Sequence, residues 1–525
     1  MHVLFAAAEL APWVKVGGLG EAACGLVRAL RAAGVRVDVI VPDYGPGETE
    51  RRHTPGPPTP LSLPSWAGPA SVRTFELDDL GPVHAVSVAG IGRHHPYVHV
   101  ATGEGWSDND RRFFAFSLAV AALAGALRPD VVHLNDWHTA TALAALDPTL
   151  PSVFTIHNLA YQGWADRRWL GALGPRAAAF EHRGDCNPMA GAIRLADAVV
   201  AVSPTYATEI LRPETGEGLH PITTEHAARI VGIRNGIDTA RWNPATDPLL
   251  PVPYSAEDLR GRAHAAAALR RLAGFVDELP DGHPDRHGHG TPVIGLVARM
   301  AAQKGVDVAI GLAPLLESLP ARMVIVGDGD PALVARARQA AEAHPGRVSY
   351  LPFDERTAHL VAAGADVMLV PSRFEPCGLT QMEAMAYGAV PVVNGVGGLR
   401  DTVVDDDRHP GRGTGFVADV ADPAHLVDAL HRALRARRDD RRWQAIRRRG
   451  MTADWSWRLP ADAYGRLYRS VASGACRPAP AASNEPISLV DQPISLSTSE
   501  VCSPTRGANR NSPLGDRSSV AVSRT

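Results

Sequence analysis

The feature that most constrains the fold is an alternation of short apolar segments with helical segments, which occurs twice along the chain. Val3–Ala8 is apolar, a helical pattern follows over Glu21–Ala33, and Val35–Val41 is apolar again. The pattern restarts at Val293–Val297, after a polar stretch over Asp277–Thr291. Strands that alternate with helices form parallel sheets covered by helices on both faces. The sequence therefore predicts two α/β domains in tandem.

Further apolar segments of strand length extend this pattern in both halves. We predict strands at Val83–Val88, Val131–Leu134, Ser152–Ile156, Ala198–Val202, Met323–Val326, Val348–Leu351, Val367–Val370 and Val390–Val393. Helices are predicted at Arg111–Ala126, Ala424–Arg448 and Trp455–Tyr468. The Pro- and Gly-rich stretch Gly45–Pro69 is predicted to be an irregular surface segment.

A chain of 525 residues is too long for one ordinary core, which makes two domains the default expectation. We predict a first domain over residues 1–240, a second over 241–455 and a last helix over 456–472. Residues 473–525 are rich in Ser, Pro and Arg and poor in aromatic residues. Such a segment cannot bury enough apolar surface to fold, so we predict a disordered tail.

Composition excludes several classes of protein. The 53 Lys and Arg residues nearly balance the 56 Asp and Glu residues, which does not favour a nucleic-acid partner. The five cysteines are scattered without metal-binding spacing, which favours a reduced, cytoplasmic protein. The N-terminus lacks the basic region of a signal peptide, and no apolar run is long enough to span a membrane.

The stretch Ser372–Val393 carries the strongest indication of function. It turns through Glu375–Gly378 into a helix that we predict to start near Leu379. Free N–H groups at a helix start attract phosphate, yet Glu375 places a carboxylate beside them. A carboxylate and a phosphate site are compatible here if the carboxylate binds a sugar hydroxyl while the N–H groups bind the phosphate attached to that sugar. The stretch therefore favours a nucleotide-sugar transferase.

Cations follow a strand in each half. Arg299 and Lys304 come after the first strand of the second half and together suit a diphosphate, although either alone is explained as an exposed loop cation. Lys15 precedes the glycine turn Gly17–Gly20, where glycines let a ligand approach the backbone. The glycine spacing differs from G-x-G-x-x-G, which disfavours a dinucleotide-dependent dehydrogenase.

Polar residues follow two further strands of the first half. Asp136 follows the strand Val131–Leu134, with Asn135 between them. It is explained equally well as a ligand contact or as a helix N-cap. His157 and Asn158 follow the next strand. A histidine in that position is often a core residue, but Asn158 beside it favours a polar site.

Two clusters invite a metal interpretation, and we reject it for both. Asp405–Asp407 lies in a polar stretch and is interpreted as a solvated loop. His283, Asp285, His287 and His289 lie in a Gly- and Pro-rich loop with no strand or helix to fix their geometry. We therefore predict neither a functional metal nor a cofactor.

Together these residues resemble the bacterial glycogen synthase and plant starch synthase family of retaining glucosyltransferases. The resemblance runs from Met1 to about Tyr468. It is carried by Lys15–Gly20, Pro96-Tyr97, Arg112-Phe113, Asn135–His138, Phe154–Gly163, Val202–Tyr206, Arg234–Asp238, Arg299–Gly305, Pro371–Glu383, Gly397-Gly398 and Trp455–Trp457. It implies the GT-B fold, in which two Rossmann-like α/β domains face each other across a deep cleft.

The resemblance also implies roles for single residues. Catalytic roles are implied for His157, Glu375, Arg299 and Lys304. Donor binding is implied for Lys15, Gly17, Gly18, Asn235, Cys377, Gly378, Leu379 and Thr380, and contact with the acceptor or a sugar for Asp136, Asn158 and Tyr97. The implied donor is ADP-glucose, and the implied acceptor is the non-reducing end of an α-1,4-glucan such as glycogen.

Two alternatives stay open beside this interpretation. One is a related GT-B transferase that uses UDP-glucose or another acceptor, and the other is a non-catalytic glucan-binding relative. The chain also departs from the family pattern, with Glu21 in place of the usual Asp, Ala298 in place of Ser and Phe353 in place of Tyr. These departures bear on donor affinity and donor choice. The oligomeric state is not predicted.

Overall fold

The computed structural model describes residues 1–45, 54–99, 102–275 and 290–474. These residues belong to one unit, Met1–Ile487. The His283–His289 cluster and the predicted tail from residue 475 onward lie outside the described residues.

Within the described residues, the first half contains a nine-stranded sheet and a separate two-stranded hairpin. The strands are β1 (His2–Ala6), β2 (Arg36–Pro42), β3 (Thr59–Leu61), β4 (Ala70–Leu77), β5 (Gly81–Val88), β6 (Val131–Asn135), β7 (Ser152–Ile156), β8 (Glu181–His182), β9 (Asp185–Cys186), β10 (Ala198–Ala201) and β11 (Ile230–Gly232). The sheet order is β11-β10-β7-β6-β1-β2-β5-β4-β3, and β8 pairs with β9.

This first sheet is mixed, so the prediction of a wholly parallel sheet was wrong at one edge. β4 runs antiparallel to both β5 and β3. Val72, Phe75 and Leu77 are buried in β4, while its other five residues are half-buried or exposed. β3 lies inside the predicted irregular segment Gly45–Pro69, so part of that segment joins the sheet instead.

The helices of the first half position the residues that follow each strand. They are α1 (Gly18–Ala32), α2 (Asn109–Leu127), α3 (Trp137–Ala140), α4 (Pro188–Leu195), α5 (Pro204–Glu209) and α6 (His220–Glu225). α1 begins at Gly18, three residues before the predicted start at Glu21. The end of the glycine turn is therefore already helical.

The second half contains a six-stranded sheet whose pairings are all parallel. Its strands are β12 (Val293–Val297), β13 (Arg322–Val326), β14 (Val348–Leu351), β15 (Val367–Val370), β16 (Val390–Asn394) and β17 (Phe416–Ala418), in the order β14-β13-β12-β15-β16-β17. β13 and β15 are buried at every residue, which explains their uninterrupted apolar sequences.

Nine further α-helices follow in the described residues. They are α7 (Arg260–Leu272), α8 (Val306–Gly311), α9 (Pro331–Ala343), α10 (Glu355–Gly364), α11 (Thr380–Ala386), α12 (Gly397–Thr402), α13 (Pro423–Arg437), α14 (Asp440–Thr452) and α15 (Arg458–Ala472). The predicted helix Ala424–Arg448 is two helices, because Asp439 breaks it and its side chain caps α14 by accepting a hydrogen bond from the N–H of Arg442.

The last helix, α15, packs on the sheet of the first half. The hydroxyl of Tyr468 lies 2.7 Å from Nδ1 of His133 in β6, and the hydroxyl of Tyr464 lies 3.2 Å from Oγ1 of Thr155 in β7. Both tyrosines are buried. The chain therefore returns to the first half after completing the second.

The two passages of the chain between the halves lie side by side. The N–H of Ile237, on the outward passage, donates to the carbonyl of Trp455 on the return passage over 2.8 Å. A Cβ atom on Gly236 would lie 2.6 Å from the carbonyl carbon of Ser456, a distance that real Cβ atoms do not adopt. Glycine is therefore required where the passages touch.

The interpretation of Asp405–Asp407 as a solvated loop was wrong. Asp405 and Asp406 are only 4% and 3% exposed. Three arginines from α13 and α14 neutralise the cluster. Arg432 contacts Asp405 at 2.8 Å, while Arg442 and Arg449 contact Asp406 at 2.7 and 2.6 Å. Buried carboxylates need such partners, and the cluster therefore joins the last two helices of the second half to its sheet.

None of the helices in the described ranges combines the length and the apolar character needed to cross a membrane.

Replacing Gly236 by Ala should destabilise the chain by about 1–3 kcal/mol, because the added methyl group overpacks the contact between the two passages. Gly125→Ala is the matched control, since a Cβ atom there meets nothing within 4 Å. In α2, that control should be neutral or stabilising by up to about 1 kcal/mol. Urea unfolding of the two variants measures both effects. Equal stability of the two would contradict this account of Gly236.

Candidate active site

Polar and charged residues of the candidate site in both halves follow parallel strands. Glu9, Asp136 and His157 come after β1, β6 and β7, and Arg299 and Glu375 come after β12 and β15. The carboxyl ends of parallel strands lie at one edge of a sheet, where the ligand crevice of an open α/β sheet forms.

Glu375 is held by two neighbours and is 5% exposed. Its Oε2 accepts from Nζ of Lys304 over 2.6 Å and from Oγ of Ser372 over 2.8 Å. The ammonium group of Lys304 offsets the cost of burying the charge of Glu375. The structure brings together two residues that the sequence separates by 71 positions.

The turn that carries Glu375 is fixed from two sides. A Cβ atom on Gly397 would lie 2.0 Å from the carbonyl oxygen of Glu375. α12 therefore lies so close to this turn that only glycine fits at position 397. From the first half, the hydroxyl of Ser203 donates to the carbonyl of Pro376 over 2.6 Å. The turn is therefore placed by contacts from both halves.

Lys15 and Glu21 bring charge from the first half into the same region. Nζ of Lys15 lies 2.6 Å from Oε1 of Glu21, and Arg241 lies 3.3 Å from the same oxygen. Burial and the charge of Glu21 raise the pKa of Glu383 in α11 to about 8, against the opposing charges of Lys15, Arg241 and Lys304.

The effects on Glu383 show that Lys15 and Lys304, one from each half, lie near one carboxylate. Leu379, in the second half, approaches the glycine turn of the first half. A Cβ atom on Gly18 would lie 3.9 Å from Cδ1 of Leu379. A cavity of about 250 Å³ lies beside this contact, and Glu21, Arg241, Leu379 and Glu383 are among its lining residues. The two halves therefore meet at the predicted donor-binding residues.

His157 has a defined tautomer. Asn135 donates its Nδ2–H to the carbonyl of Ala6 over 3.0 Å, which leaves its Oδ1 facing Nε2 of His157 at 2.9 Å. His157 must therefore carry its proton on Nε2 and present a bare Nδ1. Burial lowers the pKa of His157 to about 3, so the ring is neutral at neutral pH.

Asp136 occupies the N-cap position of α3, but its side chain does not cap that helix. Its Oδ1 instead accepts from the N–H of His157 over 2.8 Å and from the N–H of Asn158 over 3.4 Å. Asp136 therefore stands at the N-cap position of α3 without capping the helix through its side chain. Burial raises the pKa of Asp136 to about 7, although these two hydrogen bonds oppose that shift.

The backbone at Asp136 is strained. Its φ of 54° and ψ of 179° fall in a region that is nearly restricted to glycine. Strain of this kind costs on the order of 1–3 kcal/mol and persists where the surroundings impose it. Here the hydrogen bonds to the His157 loop hold the conformation, which fixes the carboxylate against that loop.

Glu9 is a site residue that the sequence analysis missed. It is 4% exposed, and its Oε1 accepts from the hydroxyl of Tyr97 over 2.7 Å. Its charge contributes to the raised pKa of Asp136, which places it near that residue. The signal was available, because Glu9 is a polar residue just beyond the first strand, and the same rule identified Asp136.

The other predicted site residues differ in the contacts that they make with the residues around Glu375 and His157. Arg299 is exposed at the end of β12, and in the described residues no contact ties it to Lys304 or Glu375. Asn158 is half-buried, and its Oδ1 accepts from the N–H of Ala160 over 3.0 Å. Thr380 is the first residue of α11.

Asn235 and Cys377, both predicted to bind the donor, contact each other. The backbone N–H of Asn235 donates to the sulfur of Cys377, while burial raises the pKa of that thiol to about 12. Behind them, Gln381 donates to the carbonyl of Gly378 over 2.8 Å and to Oγ1 of Thr402 over 3.0 Å. These bonds hold the Glu375 turn against α12.

Among the departures from the family pattern, Glu21 has the clearest consequence, since it pairs with Lys15. Phe353 is 53% exposed, and its N–H donates to Oδ2 of Asp328 over 3.0 Å. Ala298 is half-buried and donates its N–H to the carbonyl of Val326. Across the described ranges, no group of three or more His, Cys, Asp or Glu is arranged to hold a metal ion.

The arrangement can bind an anion and a polyhydroxylated ligand together. Lys15 and Lys304 supply positive charge, and the first turn of α11 presents N–H groups that the helix leaves without partners. Glu375, Asp136 and the bare Nδ1 of His157 supply acceptors for hydroxyl groups.

The raised pKa of Asp136 predicts a pH-dependent stability. The folded-state pKa of Asp136 is about 7, above the ordinary aspartate value of 3.8, so its favourable contribution is complete below about 3.8 and is lost as pH rises through 7. Between pH 5 and pH 8, the Asp136→Asn variant should gain roughly 2–3 kcal/mol relative to the wild type. Urea unfolding at pH 5, 6, 7 and 8 tests this. The exposed Asp462→Asn on α15 is the control, and a constant difference between D136N and the wild type would contradict the prediction.

The matches with known families cover both halves. Residues 2–225 match the family described as the starch synthase catalytic domain, and residues 283–449 match the glycosyl transferases group 1 family.

Named relatives match along most of their length. The chain is 41% identical over 498 residues to the glycogen synthase of Anaeromyxobacter sp. strain Fw109-5, covering 90% of this chain and 100% of the relative. It is 41% identical over 493 residues to the glycogen synthase of Halorhodospira halophila, covering 90% and 99%.

Solved structures agree with these matches. The catalytic domain of starch synthase IV from Arabidopsis thaliana, bound to ADP and acarbose, superposes with a TM-score of 0.79 at 31% identity, covering 90% of this chain and 99% of that one. The sucrose-phosphate synthase of Thermosynechococcus elongatus superposes with a TM-score of 0.58 at 18% identity, covering 90% and 100%, and supports the fold alone. The predicted fold of two Rossmann-like domains across a cleft is confirmed, and the chain belongs to the glycogen synthase and starch synthase family of GT-B glycosyltransferases.

Proposed function

We propose that this chain transfers glucose from ADP-glucose to the non-reducing end of an α-1,4-glucan, with retention of configuration. It does so without a metal ion or cofactor. The donor lies between the halves, with its diphosphate beside Lys15 and Lys304 and its glucose between Glu375 and His157. Arg299, exposed at the end of β12, completes the diphosphate site when the donor is bound.

The observation that carries this proposal is the pairing of Lys304 with the buried Glu375 at the end of β15. The pair places a cation for phosphate and an acceptor for sugar hydroxyls within 2.6 Å of each other. A nucleotide sugar joins these two chemistries in one molecule. The starch synthase IV structure, with ADP and acarbose bound, supports the same combination of ligands by homology.

The chemistry follows from the charges. Departure of the nucleoside diphosphate leaves positive charge on the anomeric carbon and negative charge on the diphosphate. Lys304, Lys15 and Arg299 stabilise the second charge, and cations held in place before the reaction do so without reorganisation. The bonds from Lys304 and Ser372 to Glu375 hold that carboxylate as a hydrogen-bond acceptor rather than as a free nucleophile. We therefore assign attack by the acceptor hydroxyl on the face from which the diphosphate leaves, with the hydroxyl proton passing to the departing diphosphate oxygen.

The neutral His157 contributes by position. Its Nε2–H is committed to Asn135, so only Nδ1 is available, and it accepts a hydrogen bond from a glucose hydroxyl. Asp136 fixes the same loop through the N–H of His157. The two residues thus orient the sugar while Lys15, Lys304 and Arg299 hold the phosphates.

The test of the proposal is a comparison of donors. Purified chain is incubated with glycogen and either ADP-glucose or UDP-glucose, and transfer of labelled glucose is measured. ADP-glucose should be used at least about tenfold more efficiently, equivalent to about 1.4 kcal/mol. A preference for UDP-glucose would favour the related transferase. Absence of transfer from either donor would leave only a glucan-binding protein.

Two variants test the residue assignments. Glu375→Gln and Arg299→Ala should each slow transfer by at least about tenfold, and losses of 10²–10³ are typical when one preorganised group is removed. The exposed Glu342→Gln on α9 and Arg271→Ala on α7 are matched controls that should keep wild-type rates. Circular dichroism establishes that each variant is folded. A wild-type rate for either site variant contradicts the corresponding assignment.

A further inference from the structure

We propose that Glu9 is a positioning residue that fixes the glycine turn and Tyr97 against each other, so that the donor side and the sugar side of the cleft keep one geometry. The inference rests on the proposed function, because it assigns a role within the same cleft.

Glu9 joins two segments that are 80 residues apart in the sequence. Its Oε2 accepts from the N–H of Val16 over 2.7 Å and from the N–H of Gly17 over 3.0 Å. Its Oε1 accepts from the hydroxyl of Tyr97 over 2.7 Å. One carboxylate thus binds the backbone of the glycine turn on one side and a predicted sugar contact on the other.

The glycine turn packs directly on this carboxylate. A Cβ atom on Gly20 would lie 3.3 Å from Oε2 of Glu9 and 3.0 Å from the carbonyl oxygen of Val14. The N–H groups of Val16 and Gly17 are occupied by Glu9 and do not face a ligand. The turn therefore offers a donor phosphate the side chain of Lys15 and the N–H groups at the start of α1, and Glu9 sets where these point.

The Tyr97 side is equally fixed. The carbonyl of Tyr97 accepts from Nδ2 of Asn109 over 3.0 Å and from the N–H of Trp106 over 3.2 Å. Its ring lies against the ring of His138, with centroids 4.9 Å apart. Burial and the charge of Glu9 raise the pKa of the Tyr97 hydroxyl, which keeps it protonated as a donor. Glu9 therefore forms a hydrogen-bonded bridge between the glycine turn and Tyr97, and movement of either segment is transmitted to the other through it.

A negative charge beside a phosphate site would repel the donor, which argues against a role for Glu9 as a direct donor ligand. Its three hydrogen bonds explain its presence instead. Glutamine can keep all three, because its amide oxygen accepts from both N–H groups of the turn and its NH₂ group donates to the oxygen of Tyr97. Alanine keeps none of them. The positioning role therefore depends on shape and hydrogen bonds rather than on charge.

The experiment compares E9A, E9Q, Y97F and the double variant E9A/Y97F in the ADP-glucose assay, with KM for the donor and kcat measured separately. E9A should raise the donor KM by about tenfold, E9Q should stay within about threefold of the wild type, and Y97F should raise the donor KM by about threefold. The double variant should be no worse than E9A, because the Glu9–Tyr97 bond is already lost in E9A.

Several results would overturn the proposal. A wild-type donor KM in E9A, or effects of E9A and Y97F that simply multiply, shows that no coupling exists. Equal losses in E9Q and E9A show that the charge of Glu9 is required instead of its hydrogen bonds. If E9A does not fold, Y97F decides, since an unchanged donor KM there contradicts the bridge. An inactive wild type would refute the proposed function itself, which keeps the two failures distinct.

Discussion

The structure depends on the contact between the two passages of the chain that join its halves. The hydrogen bond from Ile237 to Trp455 and the absence of a side chain at Gly236 let these passages run against each other. The return passage then continues into α15, whose Tyr464 and Tyr468 hydrogen-bond to the first sheet. The second half is therefore entered and left at one place.

Charge in the cleft is arranged in pairs. Each lysine proposed to bind the donor is paired with a carboxylate, Lys15 with Glu21 and Lys304 with Glu375. The pairing with Lys304 offsets the cost of burying Glu375, whereas Lys15 and Glu21 stay partly exposed. Glu21, which stands where the family pattern usually has Asp, is one of these carboxylate partners.

The sequence predicted the parts of the fold that leave a local signal. β13 and β15 were predicted because fully buried parallel strands leave uninterrupted apolar runs. β3 was missed because three residues at a sheet edge, one of them proline, carry no such run. The arginine partners of Asp405 and Asp406 were also missed, since they lie some 25–45 residues away and nothing local indicates the pairing.

The same distinction applies to the site. Residues that follow strands could be assigned to one crevice from the sequence, and Glu9 would have been included had that rule been applied to the first strand. The sequence could not indicate which residues pair. Three features depend on contacts between segments that are distant in the sequence. They are the bond between Lys304 and Glu375, the tautomer of His157 and the strained backbone of Asp136. The catalytic and binding roles of these residues stay predictions.

The central claim is that the cleft transfers glucose to a glucan with retention, and the most direct measurement is proton NMR of the reaction as it proceeds. The chain is incubated with ADP-glucose and a short maltooligosaccharide, and anomeric signals and ADP are followed together. We expect α-1,4-linked glucosyl signals to grow in step with ADP, one for each donor consumed. Growth of β-linked signals, or release of ADP with free glucose alone, would contradict it.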